Sequence, residues 1–460
     1  MKPSSYKDDK QQYKMFDPTL HKCDISVNVQ KRINIFKELI KKNGEINNLK
    51  NKNSFEKPKQ KTNNQNIDIP LSDCLLEKNG NFKLDNTHLN NSVWSVVQTA
   101  YNNNEIYSYT DTNASLTGSF GETSTGKWVG GVLAPNKNIY CIPYNSTVIL
   151  TIKPTTETLT ITNLGADLNG IRKWWGGCLG SDGKIYGIPE SANDILVIDT
   201  NNNRATRTTF GLDLTNAGTW TSNKWIGGVV GLDGKIYCIP ANSTKILIIN
   251  PSNQTAELTD FGLDLTGNNK WWGGCLGTDG KIYCIPGEMT DFLIIDTINK
   301  TAIKSNLGFT NPGNISWLGA VLGSDGKIYG VPYGTTCPGI LIINTEKQLA
   351  TIDTFGVNFD DDGAVKWVGG CLATDGKIYC CPDGAKDFLI IDPVKQTANR
   401  CSLGTNLTGV PTNRYRSCTL AENGAIYVIP FRRSELVKIT HPSATPYSSF
   451  IARHPALNKF

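Results

Sequence analysis

The sequence predicts an all-β fold assembled from tandem sheets, on three observations. An Ile-Tyr pair recurs, with its tyrosines at Tyr140, Tyr186, Tyr237, Tyr283, Tyr329, Tyr379 and Tyr427, spaced 46 to 51 residues apart. A period of that size belongs to a solenoid, a propeller or an array. Each unit also carries an Asp-Gly or similar turn between two short apolar runs, the mark of a tight hairpin. Finally, no segment of the unit reads as helix.

The unit Lys270–Ile295 shows how the elements follow one another. Trp271–Leu276 is a short apolar run with two glycines, read as the first strand. Thr278-Asp279-Gly280 turns the chain, and Lys281–Ile285 runs back until Pro286 stops it. Phe292–Ile295 is a third strand, apolar throughout. Asp296-Thr297-Ile298-Asn299 is turn chemistry. Thr301–Leu307 alternates and is more polar, as an edge strand should be. Four antiparallel strands per unit make a propeller blade, and the apolar flanks of the first three suit a sheet packed between two neighbours.

The copies agree in detail. The first strand carries Trp128, Trp174, Trp225, Trp271, Trp317 and Trp367, with Tyr415 in the last unit. The fourth strand ends in glycine at Gly165, Gly211, Gly262, Gly308, Gly356 and Gly404. This order of strands resembles the YVTN and NHL class of β-propeller repeats over roughly residues 92–451. The resemblance implies a propeller with the Trp strand innermost, and it implies nothing specific about activity. Seven units are complete. A partial copy precedes them, with Trp94 to Tyr107 matching the first hairpin and Ala114–Gly121 the fourth strand, so the expected ring is seven full blades plus a short eighth, with Pro442–Phe450 as fourth strand of the last full unit. The alternative is seven blades, with 114–120 pairing onto the last.

Residues 1–70 differ in composition, with 15 Lys/Arg and 8 Asp/Glu against a whole-chain net charge of +5. The positive charge therefore sits in this arm, and the propeller region is close to neutral. Most of the arm is too polar to build a core. Val29, Ile33, Phe36 and Ile40 lie at helical spacing, which predicts a helix over about 28–43, with Lys31, Arg32, Lys37, Lys41 and Lys42 around it. That helix is expected to dock on the propeller, bind a partner or second copy, or contact nucleic acid or a membrane surface. Residues 71–91 form an ambiguous connector and 452–460 a C-terminal tail. No apolar run approaches the ~20 residues of a membrane span. The N-terminus lacks the apolar core of a secretory signal, so the default expectation is a reducing cytoplasm. Of the 13 cysteines, Cys178, Cys275, Cys371 and Cys418 alternate with Val at one repeat position, and Cys141, Cys238, Cys284 and Cys380 with Gly or Val at another, as small buried apolar groups do.

Two rings of repeated polar residues are candidate binding groups. A base precedes the first-strand aromatic at Lys127, Lys173, Lys224, Lys270, Lys366 and Arg414, with Ser316 the exception. With that strand innermost, these cations would ring the channel mouth and attract polyanions, phosphates or an acidic peptide. The other reading makes them solvated strand-end charges pairing with the inter-blade set Asp167, Asp213, Asp264, Asn358 and Asn406. The tryptophans, with extra copies at Trp175 and Trp272, suit blade packing, or stacking on sugars. The four histidines (His21, His88, His441 and His454) lie outside the inter-blade loops, so no His base is in view, and no metal site or cofactor is expected. Asp360-Asp361-Asp362 is the one dense carboxylate run. The departures from the repeat that invite a specific function are Phe431-Arg432-Arg433, the Trp220 insertion and Thr335-Thr336-Cys337-Pro338.

The expected function is a non-catalytic binding or structural propeller. The Asn, Lys and Ile bias suggests an AT-rich genome, as in many protists and large DNA viruses. One version is therefore a self-assembling virion-type component whose arm contacts nucleic acid or neighbouring subunits. A carbohydrate-binding propeller is the runner-up. A propeller hydrolase or lyase with a carboxylate metal site comes third.

Overall fold

The computed structural model describes residues 113–119, 124–215, 222–312, 315–359, 365–405 and 414–440. The predicted helix and arm, the connector, the C-terminal tail, all four histidines, Asp360–Asp362, Trp220 and Asn406 lie outside the described residues.

Seven four-stranded antiparallel sheets form the blades of a β-propeller. Blade 1 runs Trp128–Leu133, Ile139–Pro143, Ile149–Lys153, Thr158–Thr162 from the axis outward. The inner strands of blades 2 to 7 are Trp174–Leu179, Trp225–Val230, Trp271–Leu276, Trp317–Leu322, Trp367–Leu372 and Tyr415–Leu420. Burial follows the sequence pattern. The second strand of blade 1 is buried at every position, whereas its outermost strand, with no blade beyond it, alternates toward solvent.

The ring closes through the start of the described chain. Asn113–Ser119 pairs antiparallel with Glu435–Thr440, from Asn113 opposite Thr440 to Ser119 opposite Glu435. It is thus the fourth strand of blade 7, the place expected for Pro442–Phe450. The favoured arrangement, in which this segment belongs to a short eighth blade, gives way to the seven-blade alternative. The physical reason is the edge. A three-stranded last blade would leave a row of unpaired backbone groups, and the upstream strand satisfies them.

Each inner strand contains a bulge after its leading aromatic, Trp in six blades and Tyr415 in blade 7. In blade 2 the register jumps between Trp174 and Gly177. Gly176 supplies a φ of 71° there, which a side chain would resist. A Cβ on Gly177 would come within 2.9 Å of Ile142 in blade 1, so that glycine sets how closely two blades approach. The tryptophans pack between blades. Trp317 clusters with Cys275, Tyr283, Phe292 and Ile294 of the preceding blade. Its indole N–H donates to Gly339 O at 2.8 Å. Trp128, Trp174, Trp225, Trp271, Trp317 and Trp367 are all fully buried. The described cysteines are free thiols, buried except for the half-buried Cys401. Burial pushes the thiols of Cys141, Cys238 and Cys380 up, which leaves them inert.

On the Asp-Gly face, side chains tie neighbouring blades together. The Tyr283 hydroxyl donates to Asp279 Oδ2 at 2.8 Å and accepts from Gln348 Nε2 of the next blade at 2.6 Å. Gln254 does the same for Tyr186, and Gln396 for Tyr329.

Candidate functional site at the axial mouth

The opposite face carries the predicted cation ring, and the structure buries it. Lys127, Lys173, Lys224, Lys270, Lys366 and Arg414 are each at most 4 % exposed. Their charged ends reach the preceding blade. Lys173 Nζ donates to Tyr144 O, Ser146 O and Gly170 O at 3.0, 3.0 and 2.8 Å. Lys224 Nζ donates to Ala192 O, Asn193 Oδ1 and Leu214 O. Lys270 Nζ binds Ala241 O and Gly267 O, and Lys366 Nζ binds Gly334 O and Thr335 O. Arg414 Nη1 binds Ala385 O, and Lys127 Nζ reaches Arg433 O of blade 7 at 3.3 Å. These cations are staples between blades, not a ring open to the channel. Carbonyl oxygens carry partial negative charge, and a buried ammonium needs several of them. Burial still lowers the lysine pKa to about 8 at both Lys224 and Lys270.

Blade 5 shows the same need met differently. Ser316 stands where the lysine would be, and Asn311 Nδ2 takes over, donating to Gly287 O at 3.1 Å and also to Met289 O of blade 4. The insertion at Thr335-Thr336-Cys337-Pro338 supplies an acceptor for Lys366. The inter-blade residues Asp167, Asp213, Asp264 and Asn358 are exposed on the loops. The three aspartates cap local turns by accepting from the amides of Asn169, Thr215 and Thr266. They do not pair with the staple lysines through any of these bonds.

Inside this collar the blades differ. The residue after each second-strand proline is Tyr144, Glu190, Ala241, Gly287, Tyr333, Asp383 or Phe431. Its backbone is held the same way in most blades. The carbonyls of Tyr144, Glu190, Ala241, Tyr333, Asp383 and Phe431 each accept the backbone N–H of the staple residue in the next blade, at 2.7–3.1 Å. The main chain is therefore fixed while the side chain is free to vary. The second residue of each inner strand varies too: Val129, Trp175, Ile226, Trp272, Leu318, Val368 and Arg416.

These two sets meet on the axis. Members from all seven blades join in one cluster, which no pair of adjacent blades could assemble. Aromatic rings form an arc within it. Tyr144 lies 5.6 Å from both Phe431 and Trp175, Trp175 lies 6.5 Å from Trp272, and Trp272 lies 6.3 Å from Tyr333. The Arg416 guanidinium sits over Phe431 at 4.7 Å and over Trp175 at 5.3 Å, a cation–π position. Arg416 Nη2 is 3.5 Å from Asp383 Oδ2.

Two acids lie in this apolar setting, both with fully buried side chains. Glu190 is well served. Arg172 Nε and Nη2 donate to its Oε1 at 3.2 and 2.6 Å, and Ser191 Oγ donates to Oε2. Asp383 is not, because neither carboxylate oxygen accepts a hydrogen bond. Burial raises its pKa against the lowering pull of Arg416, Arg414 and Arg432. The Trp272 indole N–H is likewise buried with no acceptor. Beside Arg416, Ser417 has a φ of 152° where the other six blades place glycine at 62–84°. Backbone strain of this kind tends to collect at functional sites.

Phe431, one of the departures from the repeat, meets the two extra tryptophans Trp175 and Trp272 in this cluster, whereas Arg432 points to solvent and Arg433 pairs with Glu435 at 3.0 Å. Sequence reasoning missed Tyr144, Glu190, Tyr333, Asp383 and Arg416. The signal was present as a position that changes in each blade directly after a constant proline. Among the described residues no group of three or more His, Cys, Asp or Glu side chains is placed to hold a metal ion.

No protein-family model matches the sequence, and no curated protein matches it. Solved structures do match the fold. A streptogramin B lyase structure superposes with a TM-score of 0.57 at 14% identity, covering 72% of this chain and 98% of that one. Virginiamycin B lyase from Staphylococcus aureus gives 0.55 at 14% identity, covering 72% and 99%. A structure of YCF48 bound to D1 peptide gives 0.51 at 12% identity, covering 73% and 97%. At these identities the likeness is one of fold, and the chain is a seven-bladed β-propeller similar to these in architecture.

Proposed function

We propose that this chain is a non-catalytic binding propeller that takes its ligand at the axial mouth, on the aromatic arc around Arg416 and Asp383. One observation carries the reading. The backbone there is held by a repeated bond, yet the side chains differ from blade to blade and bring a buried ion pair into an apolar plug. A buried ion pair is seldom the most stable way to fill a core, and strain at Ser417 adds to its cost. Departures that weaken a fold in one place point to a use for that place. Glu190 is held by the Arg172 guanidinium and Asp383 faces that of Arg416 at 3.5 Å, a setting of fixed charges that favours holding a ligand over moving protons.

The test is a thermal-shift screen of the full chain against amino acids, nucleotides, short peptides and sugars, repeated on Tyr333→Ala. A hit that stabilises the native chain and loses its effect in the variant supports the mouth as the site. Hits that persist unchanged in the variant refute it.

A second proposal concerns the arm, on the observation of its concentrated positive charge. Residues 1–70 contact nucleic acid or neighbouring subunits, as in a self-assembling virion-type component. Salt-dependent DNA binding that disappears on deletion of 1–70 supports this. Absence of binding at low salt, together with a monomeric chain with and without the arm, rejects it.

A further inference from the structure

We infer that the ligand of the axial mouth is an uncharged pyranose sugar. The inference rests on the binding reading above and deepens it by naming the substrate class. It starts from the valences the structure leaves unfilled. Asp383 is fully buried, and both its oxygens lack a donor. The Trp272 N–H is buried and lacks an acceptor. A ligand that completes the site must therefore donate to a carboxylate and accept from an indole. It must also offer an apolar face, because the groups between them are rings.

A pyranose meets all three demands. Its hydroxyls donate and accept, and its axial C–H bonds form a flat apolar face that stacks on indole and phenol rings. Trp272 and Tyr333 are the members of the arc that stay half-buried while Trp175, Tyr144 and Phe431 are covered, so they form the surface on which a sugar ring lands. Asp383 stands at the other end of the Arg416 ion pair, close enough to Tyr333 for its charge to act on that phenol.

Charge selects against other classes. The mouth places Arg172, Arg414, Arg416 and the exposed Arg432 against Glu190 and Asp383, a positive excess that opposes a cationic ligand. Glu190 is already filled by Arg172 and Ser191 and asks for no further cation. A strongly anionic ligand would have to bring its charge against the Asp383 carboxylate. A neutral polyol pays neither cost.

In the free molecule the Arg416 guanidinium covers Asp383 at 3.5 Å without a hydrogen bond to it. That contact is weak in geometry, since good guanidinium–carboxylate pairs are shorter and doubly bonded. The sugar hydroxyls replace it. They donate to Asp383 and accept from Arg416 and from Trp272 Nε1, while the guanidinium stays on the Trp175 and Phe431 rings.

Titration calorimetry of the full chain tests this with glucose, galactose, mannose and N-acetylglucosamine and their disaccharides as probes. At least one should bind, with affinity reduced about tenfold in Asp383→Asn, which turns one acceptor into a donor at nearly constant shape, and about tenfold or more in Trp272→Phe, which removes the indole N–H and part of the stacking surface. Far-UV and near-UV circular dichroism confirm that both variants fold. Binding of a sugar that neither variant weakens overturns the assignment of these residues. If no sugar binds but an amino acid, nucleotide or peptide from the thermal-shift screen does so at the mouth, the sugar class is wrong and the binding reading survives. If nothing in either set binds, both fall.

Discussion

Replacing Lys270 by methionine keeps the aliphatic stem against Trp271 and removes the charge. Two effects oppose each other near neutral pH. The ammonium bonds to Ala241 O at 2.7 Å and Gly267 O at 2.9 Å, and two bonds from a charged donor contribute about 3–6 kcal/mol. Holding that charge out of water works against these bonds, since burial, with Lys304 adding to it, brings the pKa to about 8 from the usual 10.5. The variant should therefore lose less than those bonds contribute at about pH 7. The pH dependence is sharper. Between about 8 and 10.5 the unfolded chain binds more protons at this lysine than the folded one, so stability rises with pH. Some 2 kcal/mol of that rise falls between about pH 7 and about pH 9.5. Methionine has nothing to titrate, and the other groups cancel between the two proteins. Urea unfolding of both proteins at those two values should show the native chain gaining about 2 kcal/mol on the variant. A difference that stays constant would mean an ammonium titrating as in water. Lys270 would then face the open channel, and the staple argument would fail for the whole collar.

Other outcomes follow from the same structure. The combined variant Asp383→Ala, Arg416→Val restores residue types found at those positions in other blades and should raise stability by about 1–4 kcal/mol while abolishing ligand binding, read by urea unfolding and calorimetry. Trp225→Ala should cost about 3–5 kcal/mol in the same unfolding assay, since the indole is fully buried between blades and its N–H donates to Lys245 O. Deleting residues 1–112 should leave the ring intact. Deleting 1–119 should open the edge of blade 7, giving a lower melting temperature and self-association on a sizing column. A water-soluble thiol reagent should leave Cys141, Cys238 and Cys380 unmodified until the chain unfolds.

The blade was legible because its signals are local. Asp279-Gly280 needs only its own turn, and the Ile-Tyr strand reads from its neighbours in sequence. The staple lysines were visible as a repeat but misplaced. A lysine is exposed by default, and the carbonyls that bury Lys173 come largely from a loop 27 to 29 residues away in another blade. Ring closure was ambiguous for a related reason. Nothing near Asn113 names Thr440 as its partner, and the hairpin-like Trp94–Tyr107 competes for attention. The axial site was half visible. Phe431 stood out as a departure from the repeat and Trp175 and Trp272 as extra tryptophans, whereas Tyr144, Glu190 and Asp383 follow a constant proline and look like ordinary loop residues until the blades are arranged about one axis.

The pairing of Asn113–Ser119 with Glu435–Thr440 also sets a timetable for synthesis. This segment leaves the ribosome before any blade, yet its partner strand is made after all the others. Until then the growing chain holds a crescent with an uncovered apolar sheet face at its leading end and an unclaimed strand at its start. Blade-by-blade assembly can proceed in order, but the circle is completed by one late encounter between distant parts of the chain. Early release or stalling would therefore leave open arcs in place of closed rings.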